Sequence, residues 1–384
     1  MQGCSFCKRT AVVQYERCLF FETEVIVIAR VVIGLSGGVD SAVAALLLRE
    51  QGHQVIGVTL RTWEAETGAY SRCCDISDAR RTAMQIGIPF YNVNSLDIFR
   101  EYVTEPFMQA YTDGLTPNPC VACNRYVKWQ RLLEFADDIN AEYVATGHYA
   151  QTEKLPNGRY TVRQAAAAAK DQTYMLYQLT QDQLARTIMP LSDLTKDEVR
   201  AIAEKAGLEV AGKKDSQEIC FVMDGGYAEY IEAHSDKGLP PPGDFVDEDG
   251  NVLGRHKGIV NYTVGQRKGL GLALGYPAYV KEIDAENNRV VIGSENSVYK
   301  KEIYCGDINL MSVEDIKKGE KLAADVKIRY HHAAVSALIE RAEGGRLHIA
   351  FEEPVKAPAP GQSAVFYDDN KRVIGGGIIL KDDR

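Results

Sequence analysis

Two kinds of residue in this sequence are spaced for chemistry: a glycine- and serine-rich run that can grip an anion, and cysteines set beside helix-starting signals. The run is Gly34-Leu35-Ser36-Gly37-Gly38-Val39-Asp40-Ser41, between an apolar stretch and a helical pattern. Adjacent glycines let the backbone approach a ligand and take positive φ. The N–H groups that open the following helix then join the Ser36 and Ser41 hydroxyls in a cradle for phosphate. No lysine follows the glycines, so this is not the GxxxxGK[ST] loop. Asp40 is out of place in an anion cradle unless a cation or a loop amide meets it, and a magnesium ion bound with a nucleotide would do so.

The second set begins at Thr116-Pro117-Asn118-Pro119-Cys120-Val121-Ala122-Cys123-Asn124. Two prolines stiffen the approach to a helix, Asn124 reads as its cap, and Cys123 beside that N-terminus would gain thiolate character from the dipole. This is how a nucleophile is prepared, although a CxxC is also half of a zinc site. Cys220 lies in Lys213-Lys214-Asp215-Ser216-Gln217-Glu218-Ile219-Cys220-Phe221. Paired lysines there suit a thiolate or a phosphate, while Ile219 and Phe221 equally suit a small buried hydrophobe.

These residues need a scaffold, and its pattern is legible. Val31 to Leu35, Val55 to Leu60, Phe90 to Val93 and Tyr143 to Ala145 read as short buried strands. Between them run helical patterns over Ser41 to Gln51, Ile76 to Gly87, Ile98 to Tyr111 and Asn124 to Asp138. Such alternation predicts an α/β unit, a parallel sheet with helices on both faces, with ligands at the carboxyl ends of its strands. Leu60 and the Ala145-Thr146-Gly147-His148 run end two strands at that crevice, where Leu60 can offer backbone groups to an adenine ring. Thr195 to Ala206 is a further helix, opened by Thr195 with Glu198 and closed by Gly207. Turn signals at Asp249-Gly250 and Asp284 to Asn288 mark hairpins beyond it. The expected division is an atypical extension over 1–30, a catalytic domain over 31–225, a small central β-containing domain over 226–290 and a β-rich domain over 291–384.

At 384 residues the chain exceeds what one core usually supports. Hydrophobic residues at 45% and charged residues at 25% fit a globular protein and exclude a disordered or collagenous one. A net charge of -9 argues against indiscriminate nucleic-acid binding. Nine cysteines are too few for a disulfide scaffold of this length, which points to reduced thiols in the cytoplasm. Cys4-x-x-Cys7 in the extension reads as inert or as a metal knuckle, and Cys73-Cys74 and Cys305 receive no task. No apolar stretch near the start is long enough to span a membrane.

The Ser36 to Ser41 run resembles the PP-loop of ATP pyrophosphatases. Together with Pro117 to Asn124, Ala145 to His148, Lys170-Asp171-Gln172, Asp215 to Phe221, Gly265 to Gly271 and Gly361 to Val365, it resembles the tRNA-specific 2-thiouridylases in motif order from about residue 31 onward. The resemblance implies a PP-loop domain, a small central domain and a C-terminal β-barrel. It implies ATP with magnesium as cofactor, bound at Gly34 to Ser41, Leu60 and Gly147. It implies tRNA with a wobble uridine as substrate, and a persulfide donor protein as partner.

By the same resemblance the uracil oxygen at carbon 2 would be adenylated. Cys220 would carry the persulfide, and Cys123 would act as the nucleophile that closes a transient Cys123–Cys220 disulfide. Asn118, Pro119 and Cys120 match contacts to the target base, and His148, Lys170, Asp171, Gln172, Arg329, Tyr330 and Gln362 match other tRNA contacts. Many family members carry Asp where this chain has Cys120. Cys120, Cys123 and Cys220 are therefore also candidates for the [4Fe-4S] sites of related tRNA thiolases. An amide-forming synthetase and a non-catalytic RNA-binding or redox protein are the competing readings.

Overall fold

The computed structural model describes residues 28–63, 75–213, 219–222, 226–235 and 238–382. The expectations for the extension, including Cys4, Cys7 and Cys18, and those for Cys73, Cys74 and 214–218 lie outside the described residues.

The first unit is the parallel sheet that the alternation predicts. Strand β1 (Arg30–Gly34) has Val31, Val32 and Ile33 wholly buried, as a central strand covered on both faces must. It leads into helix α1 (Val39–Glu50), then β2 (Gln54–Arg61), α2 (Ile76–Ile86) and β3 (Phe90–Asn94). Asp75 caps α2 by accepting from the Asp78 N–H at 3.0 Å, and Gly87 ends it with φ +76°.

Two helical stretches follow, each interrupted by π-helix: α3 (Leu96–Phe99) and α4 (Glu105–Thr112) flank a π segment at Arg100–Thr104, while α5 (Pro119–Ala122) and α6 (Gln130–Asp138) flank one at Cys123–Trp129. The two π segments meet where Tyr102 stacks on Tyr126, ring centroids 4.9 Å apart. Then come β4 (Tyr143–Ala145), the hairpin β5 (Ala150–Lys154) and β6 (Tyr160–Gln164), α7 (Gln181–Ala185), β7 (Thr187–Ile188) and α8 (Lys196–Lys205), which Thr195 and Glu198 open with a capping box. The sheet order is β3-β2-β1-β4-β7. Strand order therefore reverses between β1 and β4, and the crevice for a ligand opens there.

A small unit holds α9 (Tyr227–His234), β8 (Gly243–Val246), β9 (Val252–His256), β10 (Tyr279–Asp284) and β11 (Arg289–Gly293) in a sheet ordered β10-β11-β8-β9. Beyond it β12 (Tyr299–Leu310), β13 (Lys321–Lys327), β14 (Val335–Arg341), β15 (Leu347–Lys356), β16 (Ser363–Tyr367) and β17 (Val373–Ile379) close a six-stranded barrel. Cys305 is fully buried inside it, where burial pushes its thiol pKa up and makes it a core residue.

The barrel is tied to the first unit by specific bonds. Arg159, in the β5–β6 turn, donates to the carbonyls of Leu310 (2.7 Å) and Met311 (2.8 Å). Asn309 donates to those of Tyr177 and Leu179. Arg372 pairs with Glu153 at 2.6 Å. Among the described residues no helix is long and apolar enough to cross a membrane.

Candidate active site

The phosphate loop leaves its helix open. Gly38 is the N-cap of α1 and no side chain caps it, so the first amides of the helix face the loop without a protein acceptor of that kind. The loop is braced from within: the Ser41 hydroxyl accepts from the Ser36 N–H at 3.1 Å, and the two serine hydroxyls lie 3.1 Å apart. Gly37 has φ +74°, and a Cβ there would stand 2.7 Å from the Asp75 carbonyl oxygen, so only glycine fits. Gly147, at the end of β4, closes the other wall. A Cβ on it would meet the Ser41 backbone nitrogen at 2.6 Å, so the two sides of the switch point touch. Leu60 sits at the end of β2 with its side chain in the core and its backbone paired to Val93.

Asp40 is met by a cation that sequence reading did not supply. The Lys196 ammonium lies 2.7 and 2.8 Å from its two carboxylate oxygens, and the Tyr149 hydroxyl donates to one of them at 2.7 Å. The expected explanation through magnesium is therefore not needed for Asp40. Tyr149 is in turn clasped by Gln172, whose side chain accepts from the Tyr149 N–H while its own N–H donates to the Tyr149 carbonyl. A signal for Lys196 existed: it occupies the first position of α8, where the helix dipole disfavours a cation unless a carboxylate compensates. Lys213 was also missed as a brace. It bonds Asp75 and Asp78, the residues packed against Gly37, and holds the Asp78 carboxyl below the usual carboxylate range.

The cysteine helix begins earlier than expected. Its cap is Asn118, not Asn124: the Asn118 side chain accepts from the Cys120 N–H at 3.2 Å and Pro119 takes the first helical position, where its fixed φ fits and its missing N–H costs nothing. The helix N-terminus is thus presented to exposed Cys120, and Cys123 lies a turn further on. Asn124 is buried inside the helix, donating to the Met175 carbonyl at 2.9 Å with its own carbonyl oxygen unpartnered.

Cys123 is buried and Cys220 half-buried, and both belong to one apolar cluster with Phe99, Phe107, Phe221 and Tyr230. Burial pushes the Tyr230 phenol up to about 12, with Cys220 adding to the rise despite a hydrogen bond to Thr104. The three thiols do not fit an iron-sulfur site. Among the described residues no group of three Cys, His, Asp or Glu side chains stands close enough to hold a metal ion. Cys120 faces outward from the helix start while the other two border the apolar cluster.

The remaining predicted contacts divide into exposed and internal ones. His148 is half-buried, 2.9 Å from the Thr146 hydroxyl and against the Trp129 ring, and desolvation with the Lys128 charge holds its pKa down to about 3. It is therefore a neutral imidazole. Asp171 is buried, accepting from the Thr173 N–H and hydroxyl, and burial raises its carboxyl pKa against those bonds. Asp171 and Gln172 thus bond within the protein, and neighbouring Lys170 is half-buried.

Arg329 is exposed and Tyr330 half-buried on the loop between β13 and β14. Burial raises the Tyr330 phenol pKa, helped by the nearby charges of Asp171 and Cys120. Tyr330 packs against the buried cluster that includes Val121 of the cysteine helix, so that loop of the barrel reaches it. Gln362 donates to the carbonyls of Thr116 (2.9 Å) and Pro117 (3.4 Å), and Gly361 packs on Thr116, so the strap before β16 holds the loop that carries Asn118 to Cys120.

Comparison with known proteins agrees with this arrangement. Residues 29–224 match the tRNA methyl transferase HUP domain family, 229–294 its PRC-barrel domain and 300–379 the aminomethyltransferase beta-barrel domain. The tRNA-specific 2-thiouridylase MnmA of Lachnoclostridium phytofermentans is 50% identical over 92% of this chain and 99% of its own length. Its counterpart in Clostridium perfringens is 49% identical over 91% and 98%. A solved U34-tRNA thiolase of Methanococcus maripaludis overlaps 50% of this chain and 61% of its own at TM-score 0.34 and 21% identity. Three consecutive domain matches and near-full-length identity of about one residue in two leave one conclusion: the chain belongs to the tRNA-specific 2-thiouridylase family.

Proposed function

We propose that this chain carries out ATP-dependent 2-thiolation of a tRNA wobble uridine by a persulfide relay. The observation that carries the relay is the convergence of Cys123 and Cys220, far apart in sequence, on one apolar cluster. The helix that bears Cys123 continues into α6, whose Leu132 packs under Gly34 at the base of the phosphate loop. The nucleotide loop and Cys123 therefore rest on one continuous helix.

In this reading the unit over 31–225, the small unit through the end of β11 and the barrel beyond it divide the work. The first binds ATP at Gly34 to Ser41, with the open amides of α1 on the phosphates, Gly147 closing the crevice and Leu60 at the adenine edge. Magnesium would be held chiefly by phosphate oxygens and water and would neutralise the departing pyrophosphate. The uracil oxygen on carbon 2 attacks the α phosphate, pyrophosphate leaves, and the oxygen becomes a good leaving group.

The terminal sulfur of a Cys220 persulfide attacks carbon 2 and AMP departs. The Cys123 thiolate then attacks the Cys220 sulfur, which leaves the outer sulfur on the base and a Cys123–Cys220 disulfide in the protein. An external thiol reductant reopens it, and a persulfide-carrying protein reloads Cys220, a cycle suited to the reducing cytoplasm. Asn118, Pro119 and Cys120 meet the base. Lys170, Arg329 and Tyr330 meet the RNA around it, with neutral His148 as a hydrogen-bonding rather than charged contact, and Asp171, Gln172 and Gln362 set their positions.

Cys123→Ala and Cys220→Ala are each expected to lose thiolation at least about a hundredfold while still releasing pyrophosphate in the presence of tRNA. Thiolated tRNA is read on a mercury-containing gel and pyrophosphate by a coupled assay. Full thiolation by either variant would reject the relay.

A further inference from the structure

One stretch of the chain reverses the sign of the whole. From Asn251 to Lys281 the sequence holds Arg255, Lys257, Arg267, Lys268 and Lys281 and not one Asp or Glu, in a protein of net charge -9. Arg255 and Lys281 are spent on ion pairs with Asp244 and Glu248. Arg267 and Lys268 are exposed at the tip of a turn.

That turn is built rather than loose. The Gln266 side chain accepts from the Thr263 N–H at 3.1 Å and donates to the Lys268 carbonyl at 3.0 Å, while the Gln266 carbonyl accepts from the Val280 N–H. After it, residues 269–278 line a concave groove of about 470 Å³ together with Arg267. Leu270 and Leu272 anchor the groove in the core of the small unit, and the Tyr276 ring stands 54% exposed on its rim. Gly269, Gly271 and Gly275, with φ of +77°, +69° and +75°, leave backbone uncovered at three points of that wall.

The turn that opens the groove packs on the chain leading to the cysteine loop. Gly265, at the start of the turn, abuts Ala357, where a Cβ would stand 2.5 Å from the Ala357 Cβ. The chain from Ala357 runs directly into the Gly361–Gln362 strap that grips Thr116 and Pro117. On the opposite side Gly114 packs on Ile283 of β10. Basic turn, strap and cysteine loop are thus linked through packing contacts.

We propose that this groove of the small unit is a second contact site for the bound tRNA, with Arg267 and Lys268 on backbone phosphates and Tyr276 against a ribose or base face. The proposal rests on the thiolation reading above. A rigid turn that presents two cations beside an exposed aromatic ring and uncovered backbone is chemistry suited to a polyanion with stacking faces. An acidic partner protein is the outcome that competes.

The test uses the full chain and a wobble-uridine tRNA in filter binding across a salt series. Arg267→Glu with Lys268→Glu is expected to weaken binding roughly tenfold or more at about 0.1 M salt and to reduce the slope of log affinity against log salt by about 2. Tyr276→Ala is expected to weaken binding several-fold with the slope unchanged, and unaltered thermal midpoints confirm folding. Unchanged affinity and slope in both variants overturn the proposal. So does slower persulfide loading of Cys220 at unchanged tRNA affinity, which assigns the groove to the sulfur-donor protein. Failure of the unsubstituted chain to bind tRNA at all instead removes the thiolation reading.

Discussion

His148 shows how a residue named by sequence acquires its chemistry from its surroundings. In the sequence it is one of the positions matching a tRNA contact, yet beside Trp129 and the Thr146 hydroxyl desolvation, with the Lys128 charge, lowers its pKa from the ordinary 6.5 to about 3. Above pH 6.5 it is neutral in both folded and unfolded chains and contributes no pH dependence. As pH falls through the window from 6.5 to about 3 the unfolded chain binds a proton that the native state refuses, so stability declines. The thermal midpoint of the protein should therefore drop more steeply on acidification below pH 6.5 than that of His148→Asn, as followed by calorimetry; parallel curves would contradict the neutral assignment. The cysteines divide likewise. Spacing selected Cys120, Cys123 and Cys220, but only packing separates an exposed thiol at a helix start from two that border an apolar cluster.

At the scale of elements, the strands and helices of the first unit were readable because buried parallel strands are short apolar runs between glycines and polar turns, as β1 and β4 illustrate. The start of the cysteine helix was misplaced because Asn124 and Asn118 both carry a capping side chain, and the proline after Asn118 decides between them. The π segments at Arg100–Thr104 and Cys123–Trp129 have no cap or turn residue to mark them in the sequence, and they become visible only where they pack together through Tyr102 and Tyr126.

The bond between α8 and the loop of α1 is also tertiary. Lys196 side-chain exposure is 13% and that of Asp40 is 31%, so the pair is partly screened. Its loss should cost about 1–2 kcal/mol, below the ~3–5 kcal/mol of a fully buried pair broken on one side. Lys196→Met should accordingly raise the KM for ATP on the order of tenfold in tRNA-dependent pyrophosphate release. Adding Asp40→Asn should recover part of that loss, because no uncompensated carboxylate then faces the triphosphate. A double variant no better than the single one would mean that Lys196 touches the nucleotide itself.

At the scale of the whole molecule, the barrel is a structural partner of the catalytic unit. Arg159 donates to two carbonyls of β12 and its following turn, while Gln362 reaches back to the loop before Cys120. Such bonds predict that barrel and catalytic unit unfold together. Arg159→Ala removes the bond to the Leu310 carbonyl and leaves the Met311 carbonyl only the longer one from Gln181 at 3.3 Å, at a cost of about 1–3 kcal/mol, and should lower a single thermal transition by a few degrees. Two resolved transitions in the scan would show that the units unfold separately. Charge belongs to this scale too: the net -9 conceals a run from Asn251 to Lys281 with no acidic residue, packed through Gly265 on Ala357 just after β15.

The sequence by itself determined the chemistry on offer: a phosphate loop without a lysine, thiols at two distant points, a parallel α/β unit and β-rich units after it. These follow from local rules, the steric freedom of Gly37 and Gly38, the period of apolar residues and the residues that cap and turn. What only the tertiary structure decided is which groups meet. Lys196 on Asp40, Cys220 beside the cluster of Cys123, and the barrel strap on the Thr116 to Cys120 loop are contacts across long sequence separations. Such contacts are set by how finished elements pack, and local patterning does not say which partner a residue will meet.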